Sequence, residues 1–268
     1  MALLEAVQHI RRMRGGSQSH LMRASDGNFY IVKFRNNPQA TRVLANEFIA
    51  SQIGKILGLP VPDVAMLDVC EWLIQHTPEL HVENAGLRSP LTPGIHLGIR
   101  FVANPLDDLV FDYLPEHLCR NLKNLTDFPR ILVLDKWLSN ADGRQAVFTK
   151  TRSQTKYRAT FIDQGYCFNA GEWTFPDLTL QGVFYRNFVY EHVRGWDDFE
   201  PALSLAESMS FSQIAWAADQ IPREWWAKHE YDNSLKQLLD SLFTRRSIIR
   251  DRITAFREST RNPFPNWN

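Results

Sequence analysis

Two acidic residues between Trp137 and Phe168 constrain this chain more than any other feature. Asp142 follows the apolar, helix-like run ILVLDKWL and sits in the polar turn Asn140-Ala141-Asp142-Gly143. Asp163 ends a β-like run, Tyr157 to Ile162, and is followed by Gln164-Gly165. Each has an ordinary explanation alone, since Asn-x-Asp-Gly is good turn chemistry and an acid with a turn glycine after it commonly closes a strand. Together, one acid after a helix and one after the next strand can be brought face to face over a phosphate and a metal ion. Phosphoryl transfer has that requirement, because the protein there mostly positions groups and balances charge. One carboxylate orients the incoming hydroxyl, and the other helps to hold a hard cation that takes its remaining ligands from phosphate oxygens and water. Such a pair needs two partners elsewhere in the chain: a turn that covers phosphates and a lysine that contacts them.

Both partners have candidates near the N-terminus. Residues 3–13 read as a short helix or a strand leading into Arg14-Gly15-Gly16-Ser17-Gln18-Ser19. Two glycines followed by small polar residues form a turn whose backbone N–H groups can point at a phosphate. The turn matches neither G-x-G-x-x-G nor G-x-x-x-x-G-K-[ST], so an ordinary turn between two elements explains it equally well in isolation. The run HLMRASDGNFYIVKF then reads as two strands joined at Ser25-Asp26-Gly27-Asn28, a strong hairpin signal. Lys33 interrupts the apolar end of the second strand, between Val32 and Phe34. Asn37-Pro38 opens a helix, as cap and first residue, in which Leu44, Phe48, Ile49, Ile53, Ile56 and Leu57 recur with helical spacing. Gly58 and Pro60 end it. Glu47 lies at mid-helix on the border of that stripe, where a carboxylate can either face solvent or reach inward to a lysine.

Val61–Val69 reads as a strand, Glu71–Leu80 as a short helix, Asn84–Pro93 as a loop and Ile95–Val102 as a strand. Ala103-Asn104-Pro105 breaks the last of these and divides a β-rich part, residues 1–102, from a helical part, residues 103–260, with a tail at 261–268. Helices are expected over Leu106–Leu118, Pro129–Leu138, Ser212–Ala218 and Asp232–Glu258. Strands followed by helices make an α+β fold. Thirty basic residues balance thirty acidic ones, so no overall field argues for nucleic acid or an anionic membrane. Cys70, Cys119 and Cys167 show neither a disulfide nor a zinc pattern. The eight histidines form no H-x-x-x-H or H-x-H pair and there is no G-x-S-x-G, which argues against a metallohydrolase and a serine hydrolase. The N-terminal run is too short and too charged for a signal peptide, and no apolar run reaches the roughly 18 to 20 residues that span a bilayer. The expected location is the cytoplasm.

The set GGSQSHLM, YIVKF, NEFIASQIGKILGLPVP, NADGRQAVF and FIDQGYCF resembles the HipA-like kinases, within the wider protein-kinase and phosphoinositide-kinase superfamily. The resemblance covers most of the chain, including IPREWW at 221–226. It implies a two-lobed kinase fold, reduced here to the bare core, that binds ATP and Mg²⁺ and phosphorylates a protein serine or threonine, Ser17 and Ser19 of the chain's own turn being among the candidates. Residue by residue, it makes Asp142 the catalytic acid, Asp163 a metal ligand and Lys33 the nucleotide lysine braced by Glu47. Gly15, Gly16, Ser17, Gln18 and Ser19 become the phosphate loop, and Phe101-Val102 the hinge that contacts adenine through its backbone. Where the family has a metal-binding asparagine shortly after the catalytic aspartate, this chain reads Gly143-Arg144-Gln145-Ala146-Val147. Gln145 is the available carbonyl donor, a poorer ligand for a hard cation than a carboxylate. Two alternatives share the same residues: a nucleotide-binding pseudokinase that acts as a regulatory module, and a kinase for a lipid or small molecule. No residue names the acceptor.

Overall fold

The computed structural model describes residues 3–36, 41–104, 108–225 and 231–267. The Asn37-Pro38 helix opening, Pro105, Leu106 and Trp226 lie outside them. In chain order the first part contains β1 (Leu3–Arg12), β2 (His20–Ala24), β3 (Phe29–Lys33), α1 (Thr41–Ile56), β4 (Val64–Val69), α2 (Glu71–Gln75), β5 (His81–Asn84), β6 (Leu87–Pro90) and β7 (Gly94–Arg100). Five of these strands close into a barrel in the order β1-β2-β3-β7-β4. Its β1–β4 seam is parallel, and the other ladders are antiparallel. The β2–β3 hairpin turns where its Asp-Gly centre requires: Gly27 has φ +81° and the Asp26 carboxylate accepts from the Asn28 N–H at 2.9 Å.

Strand alternation sorts the barrel residues between two cores. Val32 and Tyr30 of β3 join Ala65, Leu67 and Val69 of β4 inside the barrel, with Phe34, Met22 and Ala24. Leu73 and Ile74 of α2 and Leu80, Val82 and Leu91 pack with that interior. Ile31, Val64, Met66, Leu97 and Ile99 take the opposite parity and pack against the larger core with α1. Lys33 shares the parity of Ile31, so the strand itself aims it out of the barrel, toward α1. The interior is tight at Gly98, where a Cβ would come within 2.3 Å of Leu67 Cδ1.

The rest of the described chain contains β8 (Asp108–Phe111), α3 (Glu116–Cys119), α4 (Asp127–Trp137), β9 (Gln145–Thr151), β10 (Arg158–Ile162), α5 (Ala202–Ser208), α6 (Phe211–Asp219), α7 (Tyr231–Arg245) and α8 (Ile249–Arg257). Strands β10, β9 and β8 form an antiparallel sheet in that order. The helix expected over Leu106–Leu118 is therefore a strand and a separate short helix over its described part. Val110, Leu114 and Leu118 have helical spacing, but Pro115 disfavours a helical Leu114 and pairing with β9 decides the outcome. The loop expected over Asn84–Pro93 contains β6, joined to β5 through Ala85 and Gly86 at φ +50° and +81°, the left-handed pair of a tight hairpin turn. The long helix expected over Asp232–Glu258 is broken by a 3-10 turn at Arg246–Ile248.

Helix α1 has no polar face. Val43 through Ser51, with Ile53 and Gly54, are all buried, as expected of a helix enclosed on every side. It ends in a Schellman motif: the Gly58 N–H donates to Lys55 O at 3.0 Å and the Leu59 N–H to Gly54 O at 2.9 Å, with Gly58 at φ +71°. Its apolar residues belong to the same core as α4, β10 and α5 to α8. That core is continuous across residue 102.

Two buried imidazoles are expected to make the barrel acid-sensitive. His20 and His96 pack edge-on against Phe34 with ring centroids 5.5 and 5.0 Å away. His96 Nδ1 accepts from the Arg35 N–H at 3.2 Å while Nε2 faces Thr92 O at 2.8 Å, a pair of contacts that fits the neutral ring with its proton on Nε2. Burial, with Arg35 nearby, brings His96 down to about 4; burial, then His9, Arg12 and His81, brings His20 down to about 4. Both folded values lie below the unfolded one, so the unfolded chain binds more protons between pH 6.5 and 4 and stability falls as pH drops through that window. The expected loss is on the order of 2–3 kcal/mol per histidine by pH 4. Denaturant midpoints measured from pH 7.5 to 4.5 check it, together with NMR titration showing both rings still neutral at pH 5.

Candidate active site

Lys33 leaves the barrel wall and is buried. Its Nζ lies 2.8 Å from Glu47 Oε2 and 2.8 Å from Asp163 Oδ1. One ammonium thus joins β3, α1 and the loop after β10. Burial alone would lower the lysine pKa, but the charges of Glu47 and Asp163 outweigh it and leave Lys33 raised and charged. Burial pulls Asp163 upward, while Lys33 and then Arg144 pull it further down, so its carboxylate stays ionised. Glu47 is fully enclosed, and its second oxygen accepts from the Gln164 N–H at 2.9 Å. Asp163 keeps 31% of its side chain exposed, open to a ligand that Glu47 cannot reach.

The loop that carries Asp163 is held by α1. Asn46 sits one residue before Glu47, and its amide donates to Gly165 O, Cys167 O and Ala170 O at 3.0, 2.9 and 2.6 Å. Its carbonyl accepts from Trp173 Nε1 at 2.8 Å. Gly165 lies so close to the helix that a Cβ would stand 2.7 Å from Val43 Cγ1. Asp163 has φ +62°, and Phe168, Asn169, Ala170 and Trp173 are also left-handed. Such conformations cost energy in non-glycine residues and persist where surrounding structure enforces them; here the Asn46 and Glu47 bonds do so.

Asp142 is presented by α4 and a charge network beneath its turn. Asp135, Lys136 and Trp137 in the last turns of α4 are buried. Asp135 accepts from Asn140 Nδ2 at 2.9 Å and from Arg144 Nε at 2.9 Å, with a second contact from Arg144 Nη2. Both partners of this ion pair have no exposed side-chain surface. The same guanidinium donates from Nη1 to Ile162 O at 2.9 Å and to Gln164 Oε1. Arg144 thereby fixes the turn of Asp142 and the loop of Asp163 from one point. Asn140 Oδ1 accepts from the Asp142 N–H at 3.2 Å, and Gly182 N–H donates to Asp142 O at 2.9 Å. The Asp142 side chain is exposed. Gln145 Nε2 lies 3.1 Å from Asp142 Oδ2 and 3.4 Å from Asp163 Oδ2. A carboxamide donor thus bridges the two acids, and holding a cation there requires the amide to turn over and offer its oxygen.

The glycine turn begins at Gly15, φ +120°, and closes with Met13 N–H donating to Ser19 O at 2.8 Å. Gly16 is exposed, Ser17 is half-buried and Ser19 is buried. Gln18 also holds the turn in place. Its N–H donates to Gly15 O, and its amide exchanges two bonds with the Glu83 backbone of β5 at 2.6 and 2.7 Å. Gln18 shapes the turn and latches it to the β5–β6 hairpin. After β7, Phe101 N–H donates to Phe29 O at 2.8 Å, so this backbone donor is already taken. Phe101 and Val102 are half-buried.

Lys33, Glu47, Asp163, Gln145 and Asp142 are therefore brought together in one chain of contacts. Asn46, Asp135, Asn140, Arg144 and Gln164 are the network residues that the linear pattern does not single out. Asp135 inside ILVLDKWL was the available signal, because a charge buried in an apolar helix needs a partner.

A family model described as HipA-like kinase matches residues 6–259, and the chain belongs to that family. No curated protein matches it in sequence. Among solved structures it is similar to the Helicobacter pylori proinflammatory kinase CtkA, at TM-score 0.59 and 15% identity over 97% of this chain and 99% of that one. It is also similar to hydra Fam20 solved with sugar, at TM-score 0.58 and 11% identity over 97% and 88% of the two chains. A third is the Golgi casein kinase solved with Mn/ADP, at TM-score 0.55 and 10% identity over 96% and 73%. The fold is a kinase fold of mixed α and β content, and the protein is a kinase-type phosphotransferase.

Removing Arg144 leaves Asp135 charged and buried without its main partner. Arg144→Ala is expected to cost about 3–5 kcal/mol of stability, read as a lower denaturant midpoint. Arg144→Lys cannot reproduce the forked contacts and is expected to lose most of that stability as well; a midpoint equal to that of the natural protein would show that the network is not needed.

Proposed function

We propose that this chain transfers the γ-phosphoryl group of ATP to a serine or threonine hydroxyl of a protein, with Mg²⁺ as the cation. The observation that carries the proposal is the Lys33 ammonium held 2.8 Å from both Glu47 and Asp163. It fixes a cation beside an acid that remains open to solvent. In this reading Lys33 contacts the nucleotide phosphates and Glu47 keeps its charge aimed at them. The turn from Gly15 to Ser19 covers the phosphates, and Phe101-Val102 borders the adenine between residues 1–102 and residues 103–260 as two lobes. Asp142, exposed and with its backbone tied to Asn140 and Gly182, receives the acceptor hydroxyl and takes its proton.

The donor set suits a hard cation. Asp163 and the Gln145 carbonyl are oxygen ligands, and among the described residues no group of three or more His, Cys, Asp or Glu could hold a metal alone. A cation here would draw on phosphate oxygens for the rest of its shell, as Mg²⁺ does. It would supply charge neutralisation at the transferred group. The Mn/ADP bound to the Golgi casein kinase supports this use of nucleotide and divalent cation. The pseudokinase alternative retains one specific support: Gln145, not asparagine, lies between the two acids and offers them its N–H group.

Labelled ATP with Mg²⁺ and a protein acceptor mixture separates the readings. Asp142→Asn is expected to lower transfer about 100-fold or more while nucleotide affinity stays within a few-fold, because a positioned acid–base group contributes roughly 10²–10⁴ to rate. Asp163→Asn is expected to lower both transfer and the cation dependence of nucleotide binding. Equal labelling by Asp142→Asn and the natural protein would remove Asp142 from catalysis, and nucleotide binding without transfer would establish the pseudokinase. Labelling of a lipid or small molecule in place of protein would correct the acceptor class.

A further inference from the structure

A cleft of about 470 Å³, none of whose lining residues belongs to the phosphotransfer site, opens on the segment that follows the backbone partner of the Asp142 turn. Tyr113, Glu116, Arg120, Arg186, Phe188 and Glu191 line it. Its position follows from the backbone. Gly182 N–H donates to Asp142 O at 2.9 Å and Arg144 N–H to Val183 O at 3.2 Å. Arg186 follows Val183 by three residues, at most about 10 Å of extended chain. Strand β8 pairs with β9 in a register that sets Phe111 opposite Phe148, so Tyr113, two residues further on, lies toward the Gln145 end of β9.

The cations of this cleft are unequal. Arg120 is matched by two carboxylates, Glu116 at 2.8 Å and Glu191 at 2.7 Å. Arg186 has no carboxylate within ion-pair distance among the described residues. Its Nη1 donates to Leu114 O at 2.7 Å, and its guanidinium lies 4.3 Å from the Tyr113 ring centre and 4.9 Å from that of Tyr185. Both tyrosines are exposed, at 59% and 61%. Arg261 stands beside the same segment and likewise meets only carbonyls, Tyr185 O at 3.0 Å and Phe184 O at 3.4 Å. Two guanidiniums therefore lie by Tyr185, Arg186 oriented by aromatic faces and a carbonyl and Arg261 by carbonyls, and neither has an ion pair among the described residues. Cation–π contact and carbonyl bonds orient an arginine without neutralising it.

We infer that Arg186, at the edge of this cleft and with Arg261 on the neighbouring Phe184–Tyr185 backbone, binds an acidic side chain of the protein segment that is phosphorylated, a few residues from the acceptor hydroxyl. The inference deepens the kinase reading and rests on it for what the bound segment is used for. A carboxylate and a phosphate present the same forked acceptor geometry to a guanidinium, so the two sources are separated by experiment. A polypeptide is the favoured ligand because the exposed rings of Tyr113 and Tyr185, both in contact with the guanidinium, offer apolar surface to the side chains next to the charged one.

Fluorescently labelled peptides with a single serine and with Glu, phosphoserine or Lys fixed at each flanking position test the inference by anisotropy, with no dependence on catalysis. At one or two positions the Glu or phosphoserine peptide is expected to bind about tenfold more tightly than its Lys counterpart, the size of one charged hydrogen bond. Glu and phosphoserine peptides tested at the same position identify the source. Arg186→Glu is expected to invert the preference toward Lys, a gain that a merely structural role would not produce. Arg261→Glu serves as the second variant, and melting curves verify that each is folded. Absence of any charge preference, or a preference unchanged in both variants, overturns the inference. Transfer of label to the same peptides keeps the two readings apart: transfer without charge preference removes the cleft and keeps the kinase, whereas charge-dependent binding without transfer does the reverse.

Discussion

A buried ammonium is tolerable only where its charge is answered, and Lys33 is answered from two directions. Glu47 comes from a helix with no polar face, and Asp163 comes from a loop of left-handed residues. Neither carboxylate would be stable in its place without the lysine. Glu47 has almost no access to water, and the charge of Lys33 outweighs burial to keep Asp163 ionised. Breaking a buried pair leaves an uncompensated charge and costs several kcal/mol. The barrel, α1 and the β10 loop therefore share one electrostatic condition, which no single element can meet alone.

A second charge condition lies behind the first. Arg144 reaches Asp135 in α4, Ile162 O before Asp163 and the Gln164 side chain. One guanidinium thus sets the distance between the turn of Asp142 and the loop of Asp163. The solved kinases similar to this chain share 10 to 15% of its residues, so the fold tolerates wide change in sequence. Here the two acids are held by backbone carbonyls and side-chain forks whose donors can come from many sequences.

Much of the site could be read from the linear pattern, for reasons that are local. Lys33 stands out because a charge interrupts a β-prone apolar run, and strand parity then sets its direction. Asp142 and Asp163 stand out because turn residues follow regular elements. Glu47 was ambiguous, since a helix stripe drawn from Leu44, Phe48 and Ile53 leaves it at an edge, whereas α1 proved to have no edge. The braces were not legible. Asn46 and Arg144 act on backbone carbonyls far along the chain, and such carbonyls carry no sequence signal. The same limit explains β8, where pairing with β9 overrode helical spacing, and Gln18, whose amide found the backbone of β5.

Helix α1 belongs to the core of the helical part, yet its glutamate pairs with a lysine of the barrel. In kinases where the glutamate-bearing helix can shift, its position is a point of control. Here the helix is enclosed on every side, and sliding it would open the core from α4 to α8. The barrel wall is held to that helix as well, because Val64, Met66, Leu97 and Ile99 share its core. Parting the barrel from α1 would therefore break the Lys33–Glu47 pair and wet an apolar seam in the same movement. The glutamate is set against the lysine by packing on both sides, so the pair is held in register even when another anion takes the lysine's second contact.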